Sequence, residues 1–121
     1  MSPRLLDYLQ HMQEAGTLAC TYVEGLDEAA FMADQRTQQA VILNLIILGE
    51  AATRLSSQHA AFVSRHPDVP WSSMKGMRNR LAHGYFDIAV DVVWETVMTA
   101  LPDLLTKLPS VIRDAESELH D

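Results

Sequence analysis

The run Val41-Ile42-Leu43-Asn44-Leu45-Ile46-Ile47-Leu48 constrains this chain more than any other stretch. A helix made of these residues is apolar on almost every side, so it must sit at the centre of a bundle with neighbours around it. Their β-branched character makes a strand the competing assignment. The flanks favour helix, because no Gly or Pro interrupts them before Gly49, and Glu50-Ala51-Ala52-Thr53-Arg54-Leu55 continues the helical pattern. The apolar run is far short of the roughly 20 residues a membrane span requires, so no membrane association is expected.

Around this centre the chain divides at recognisable caps and breakers. Ser2-Pro3 reads as an N-cap followed by proline at the first helical position. Leu5, Leu9, Met12, Ala15 or Gly16, Ala19 and Val23 then recur at helical spacing to about Glu24. Gly25 ends that helix, Asp27 caps a short turn through Phe31, and Asp34 caps the central helix, which should reach the fifties or low sixties. His66-Pro67-Asp68-Val69-Pro70 is the clearest break, since each proline disfavours helix in the residue before it. A third helix should start near Trp71, reach Ala82 or His83, and stop at Gly84 in a left-handed turn. Val93, Val97, Ala100, Leu104 and Leu108 form the stripe of a last long helix, with Asp87, Asp91 and Glu95 at its acidic start. Pro102 should kink that helix, Pro109 should begin its end, and residues 113–121 carry enough charge to fray.

No internal repeat, low-complexity tract or strand-turn-strand signal appears. The expectation is an all-α, up-and-down bundle of four to five helices forming one domain over residues 1–121. A chain of 121 residues with 48% hydrophobic content can bury a core of its own and still leave apolar surface for a homodimer interface. Cys20 is the single cysteine, so no internal disulfide forms. The N-terminus also lacks the apolar run of a signal peptide, and a cytoplasmic protein is expected.

Sixteen acidic against nine basic residues give a net charge of −7, the wrong sign for a protein that coats nucleic acid indiscriminately. From Trp71 to Phe86, however, there is no Asp or Glu, while Lys75, Arg78 and Arg80 supply positive charge. Such a strip would admit a polyanion at one site. It also holds Asn79, His83 and Tyr85. Metal-free RNA cleavage needs a proton acceptor for the ribose 2′-hydroxyl, a donor for the leaving oxygen and fixed positive charge on the phosphate. Histidine, with an unperturbed pKa of about 6.5, suits the proton transfers. Arginine's planar fork suits the phosphate.

On an ideal helix, Arg78 and His83 lie roughly 140° apart and share no face. Either the helix ends at His83 and frees its side chain, or a second copy completes the site across a dimer axis. Taken alone, Arg-x4-His also fits a histidine that merely bonds the last carbonyls of a helix, with Lys75 and Arg80 on a solvated face. No metal site is expected. Asp7, Glu14 and Glu50 assemble into none, Asp91 and Glu95 read as a solvated face, and His59 and His66 would stand about 10 Å apart on one helix. His11 and His120 have no evident partners, and no cofactor is expected.

The segment Gly76-Met77-Arg78-Asn79-Arg80-Leu81-Ala82-His83-Gly84-Tyr85-Phe86-Asp87 resembles the signature of the HepT family, HEPN-domain toxins encoded with a minimal nucleotidyltransferase antitoxin called MNT or MntA. Leu48-Gly49-Glu50-Ala51-Ala52, Pro70-Trp71 and Val93-Trp94-Glu95 resemble that family in order and spacing. The family pattern of Arg, four to six residues, His, any residue and Tyr is met by Arg78, His83 and Tyr85. The resemblance implies a HEPN-like fold and a metal-independent endoribonuclease toxin. Arg78 and His83 would be catalytic, Asn79 a polar member of the site, and Lys75 and Arg80 RNA-binding. Two motifs would face each other across a homodimer cleft. The cognate antitoxin would silence the toxin by transferring AMP to Tyr85, putting negative charge into the basic strip. Two other readings remain open: a non-catalytic helical partner that presents RNA or another substrate to the nucleotidyltransferase, and a purely structural dimerisation module.

Overall fold

The computed structural model describes residues 3–119, apart from the side chains of residues 3, 85 and 119; the expected Ser2 cap lies outside the described residues. A glycine in the left-handed region and two aspartate caps divide the first half of the chain. Helix α1 (Pro3–Tyr22) is followed by Gly25 at φ 79°. Asp27 then caps α2 (Glu28–Met32) by accepting from the Ala30 amide at 2.8 Å. Asp34 caps α3 (Gln35–Gln58), accepting from the Thr37 hydroxyl at 2.6 Å and the Thr37 amide at 3.0 Å. These two bonds, the hydroxyl's first, hold the Asp34 carboxyl below the usual carboxylate range.

Helix α3 is the central rod, with α1 and α5 (Trp71–His83) both packed along it. The Tyr8 hydroxyl donates to Gln58 Oε1 at 3.4 Å, which joins the start of α1 to the end of α3 and makes the pair antiparallel. Asn44, the one polar residue in the apolar run, is buried and donates to the Ala40 carbonyl at 2.9 Å. By length and composition alone, α3 is long and apolar enough to cross a membrane, which the shorter run considered in the sequence did not indicate. In the bundle, 44% of its apolar window is buried against neighbouring helices.

Some details refine the expectation and others differ from it. The central helix stops at Gln58, within the expected range, but His59 leaves helical geometry (φ −135°, ψ 45°) before the short α4 (Ala60–Ser64), so His59 and His66 do not share one helix. Gly84 follows α5 but at φ −124°, not in a left-handed turn. A Cβ there would meet the Arg80 carbonyl oxygen at 3.0 Å, so close approach of the backbone accounts for the glycine.

At the expected Pro102 kink the chain forms a π-helical turn, Thr96–Ala100, between α6 (Val90–Glu95) and α7 (Leu101–Leu119). Pro102 has no amide hydrogen and crowds the carbonyl four residues back, and the wider turn accommodates both. The extra residue moves the apolar face by one position, so Leu101 is buried and Ala100 is exposed. Finally, Pro109 lies inside α7 and the helix continues to Leu119. Leu108, Val111 and Ala115 are all buried, and this packing outweighs the proline's local penalty of about 3 kcal/mol.

The all-α bundle is as the sequence predicts, with four long rods: α1, α3, α5 and the α6–π–α7 rod. Leu5, Leu9, Met12, Ala15, Ala19 and Val23 of the expected α1 stripe are all buried. Trp71, 7% exposed, anchors the start of α5 by donating its indole N–H to the His66 carbonyl at 3.0 Å. His66 in turn bonds Asp114 of α7 through Nε2 at 2.8 Å, tying the break before α5 to the last helix.

The α3–α5 crossing depends on Gly49. A Cβ there would lie 2.4 Å from Arg78 Cβ and 2.7 Å from the Met74 carbonyl oxygen. Gly49→Ala should therefore force the helices apart and lower stability by about 1–3 kcal/mol, despite alanine's better helix propensity. Urea denaturation with an unchanged slope checks this; a stabilised variant would contradict the close approach.

Candidate active site

The crossing at Gly49 sets which way each face of α5 points. Trp71, Met74 and Leu81 are buried, and Arg78 lies on the same side, turned toward α3. Its Nη2 donates to Thr53 Oγ1 at 3.2 Å, and the Thr53 hydroxyl itself donates to the Gly49 carbonyl at 2.8 Å. One turn of α3 thus supplies both the glycine that admits Arg78 and the oxygen that orients it. Glu50 stands beside them with Oε2 at 3.4 Å from Arg78 Nε and Oε1 at 3.1 Å from Arg54 Nε. One carboxylate is shared between two guanidinium groups. The Arg78 Nε is buried and makes no aligned hydrogen bond, so its contact with Glu50 is a charge interaction at the edge of bonding distance.

This arrangement corrects the reading of the basic strip as free of counter-ions. No acid occurs between Trp71 and Phe86, but α3 delivers Glu50 to Arg78 from outside the segment. Glu50, Thr53 and Arg54 escaped the sequence reading as members of the site. The available signal was an isolated glycine inside an apolar helix, which marks a close approach, followed at helical spacing by polar side chains.

The remaining predicted residues lie on other faces of α5. Lys75, Asn79 and His83 recur every four residues and form one row, half-buried at Lys75 and exposed at Asn79 and His83. His83 is the last residue of α5, and Gly84 caps it by donating its amide to the Arg80 carbonyl at 2.9 Å. Arg80 is exposed on a third side and donates to Met77 Sδ at 4.0 Å. Tyr85 opens a single 3₁₀ turn, Tyr85–Asp87, directly after the helix; its side chain lies outside the described residues. A single chain therefore turns Arg78 toward α3 and His83 toward solvent, as their spacing predicts.

Beyond Glu50 a cleft of about 550 Å³ runs between α1 and α3, lined by Arg4, Tyr8, His11 and Arg54 with Ile46 and Ile47. Among the described residues, no three His, Cys, Asp or Glu side chains are grouped so as to hold a metal ion.

Comparison with known proteins adds a family. The model of the family described as "Ribonuclease HepT-like" matches residues 12–111. "Probable ribonuclease HepT" of Thermococcus cleftensis is 38% identical over 101 residues, covering 84% of this chain and 89% of that protein. "Putative RNase MJ0127" of Methanocaldococcus jannaschii is 31% identical over 114 residues, covering 94% of this chain and 88% of the relative. No solved structure matches.

The Arg78–Glu50 pair is partly solvated, with side-chain exposures of 20% and 44%, so its contribution to folding should be small. A double-mutant cycle with Arg78→Ala and Glu50→Ala should give a coupling of about 0.2–1 kcal/mol that shrinks with added salt. A coupling of several kcal/mol would make the pair a structural one.

Proposed function

Because this chain belongs to the HepT-like ribonuclease family and is itself a ribonuclease, we propose that it is the toxin of a toxin–antitoxin module, a cytoplasmic, metal-independent RNA endonuclease whose chemistry belongs to Arg78 and His83. The observation that carries this reading is Arg78 in its place. A guanidinium threaded through the Gly49 gap and oriented by Thr53 is a preorganised phosphate ligand, and Glu50 keeps it in position until a polyanion competes for it.

In the proposed reaction an imidazole of His83 takes the proton of a ribose 2′-hydroxyl. The 2′-oxygen attacks the adjacent phosphorus, the bond from phosphorus to the 5′-oxygen breaks, and an imidazolium returns a proton to that oxygen. The products are a 2′,3′-cyclic phosphate and a 5′-hydroxyl. Arg78 stabilises the non-bridging oxygens, on which charge accumulates in the transition state. Asn79 and Lys75, on the row that ends at His83, contact the flanking backbone.

The active unit is a homodimer. Arg78 and His83 diverge within one chain, so a second copy provides the histidine that faces a given Arg78. Leu43 and Ile47 support this arrangement, being 57% and 39% exposed one turn apart on α3. The same face continues through Glu50 and Arg54, so a partner seated on it would reach Arg78. Regulation follows from Tyr85, two residues beyond His83. A nucleotidyltransferase antitoxin joins the tyrosine oxygen to the α-phosphorus of ATP, releasing pyrophosphate and a proton. The phosphodiester left on the toxin carries negative charge into the strip that substrate phosphate would occupy.

Purified protein in EDTA should cleave single-stranded RNA, and His83→Ala should abolish cleavage while leaving the circular dichroism spectrum unchanged. Arg78→Lys, which keeps the charge but loses the fork, should lower turnover by roughly 100-fold or more. RNA binding without cleavage by unmodified parent protein would instead identify a non-catalytic partner subunit. Undiminished cleavage by His83→Ala would remove the assignment.

A further inference from the structure

On the side of α5 away from Glu50, a second cleft of about 340 Å³ opens between α3, α5 and the α6–π–α7 rod. Its floor is apolar, made by Leu45, Leu48, Met77 and Leu104, and its rim carries Ser73 and Arg80. In a chain of net charge −7, no Asp or Glu among the described residues lines this cleft, and Arg80 is the only charged side chain among those that do. Arg80 is exposed and, among the described residues, pairs with no carboxylate, its polar contact being the Met77 sulfur at 4.0 Å. The π-helical turn forms part of the wall through Thr96 and Ala100. Departures of this kind from regular helix are concentrated at functional sites.

The cleft also has a fixed relation to the proposed chemistry. Arg80 and His83 stand three residues apart on α5, so their side chains are neighbours on the helix surface. We propose that this cleft is a nucleobase subsite for the RNA strand beside the cleaved phosphate, with Arg80 binding the phosphate of the nucleotide whose base enters the cleft. The inference rests on the ribonuclease reading for its ligand but not on His83 for its outcome. A nucleobase suits the site because its faces are apolar and its attached phosphate is anionic, matching the apolar floor and the single cation at the rim. The floor residues are hydrocarbon and thioether, which carry no strong donor or acceptor to read a base edge. The subsite therefore contributes affinity and register with little base preference.

Gly76 allows a clean test, since a Cβ added there would meet only Arg80 Nη1, at 3.7 Å. Gly76→Leu plugs the cleft without displacing backbone, and Ser73→Phe, at an exposed lining position, is an independent plug should the first variant fold poorly. The probe is a short fluorescein-labelled single-stranded RNA, 2′-O-methylated so that it lacks the attacking hydroxyl, and its binding is followed by anisotropy. The folded plugged protein should bind roughly tenfold more weakly than the parent. Arg80→Ala should reduce the slope of log affinity against log salt by about 0.7, the loss of one phosphate contact to a single strand. Parent-like affinity in a folded plugged variant overturns the proposal, as does failure of the parent to bind the probe. If plugging weakens binding but the parent leaves unmodified RNA uncut, the catalytic reading fails and the subsite stands.

Discussion

The absence of one methyl group, at Gly49, is the constraint on which the site depends. With no Cβ at that position, the Met74 carbonyl and the Arg78 side chain of α5 come against the backbone of α3. That contact sets the rotation of α5 about its own axis, and the rotation assigns every other side chain of the helix to a face. Arg78 meets Thr53 and Glu50, the row ending in His83 meets solvent, and Arg80 stands over the second cleft. A slightly wider crossing would keep the hydrophobic core and lose this distribution.

Local chemistry made the elements readable. Asp27 and Asp34 cap where short polar side chains precede helical runs, and the α1 stripe is buried residue by residue. The divergence of Arg78 and His83 follows from helical periodicity, so it too was legible. The Glu50–Arg78 contact was not, because it joins residues 28 positions apart on two different helices, and its register depends on how closely two backbones approach. The substitution of Leu101 for Ala100 on the buried face has a different origin. A proline announces an irregularity but does not say whether the helix bends or takes in an extra residue. That the last helix carries on to Leu119 was not legible either, because the charge of residues 113–119 is visible in the sequence whereas the burial of Ala115 and the pairing of Glu118 with Arg65 depend on neighbours distant in it; residues 120–121 lie outside the described residues.

Electrostatically, the molecule concentrates cationic character on a surface that otherwise repels nucleic acid. Arg78 and Arg54 share the single carboxylate of Glu50, so this cluster keeps a net positive charge, while Arg80 has no acidic partner among the described residues. The acidic remainder opposes nonspecific adsorption of a polyanion. Binding is thereby confined to places where the local field reverses sign, and its strength there should vary steeply with ionic strength.

The π-helical turn between Thr96 and Ala100 has a consequence for how this chain can vary. It holds one residue more than a regular turn, and each residue of helix corresponds to about 100° of rotation. In a regular helix an added residue would turn everything beyond it by that amount, whereas the wider π turn takes it up with little net rotation, so Val93 and Trp94 still face the same core as Leu104 and Leu108. Losing one residue within the turn would therefore leave a regular rod with both halves in phase, while the same loss in the regular part of α7 would carry the apolar stripe beyond it away from the core.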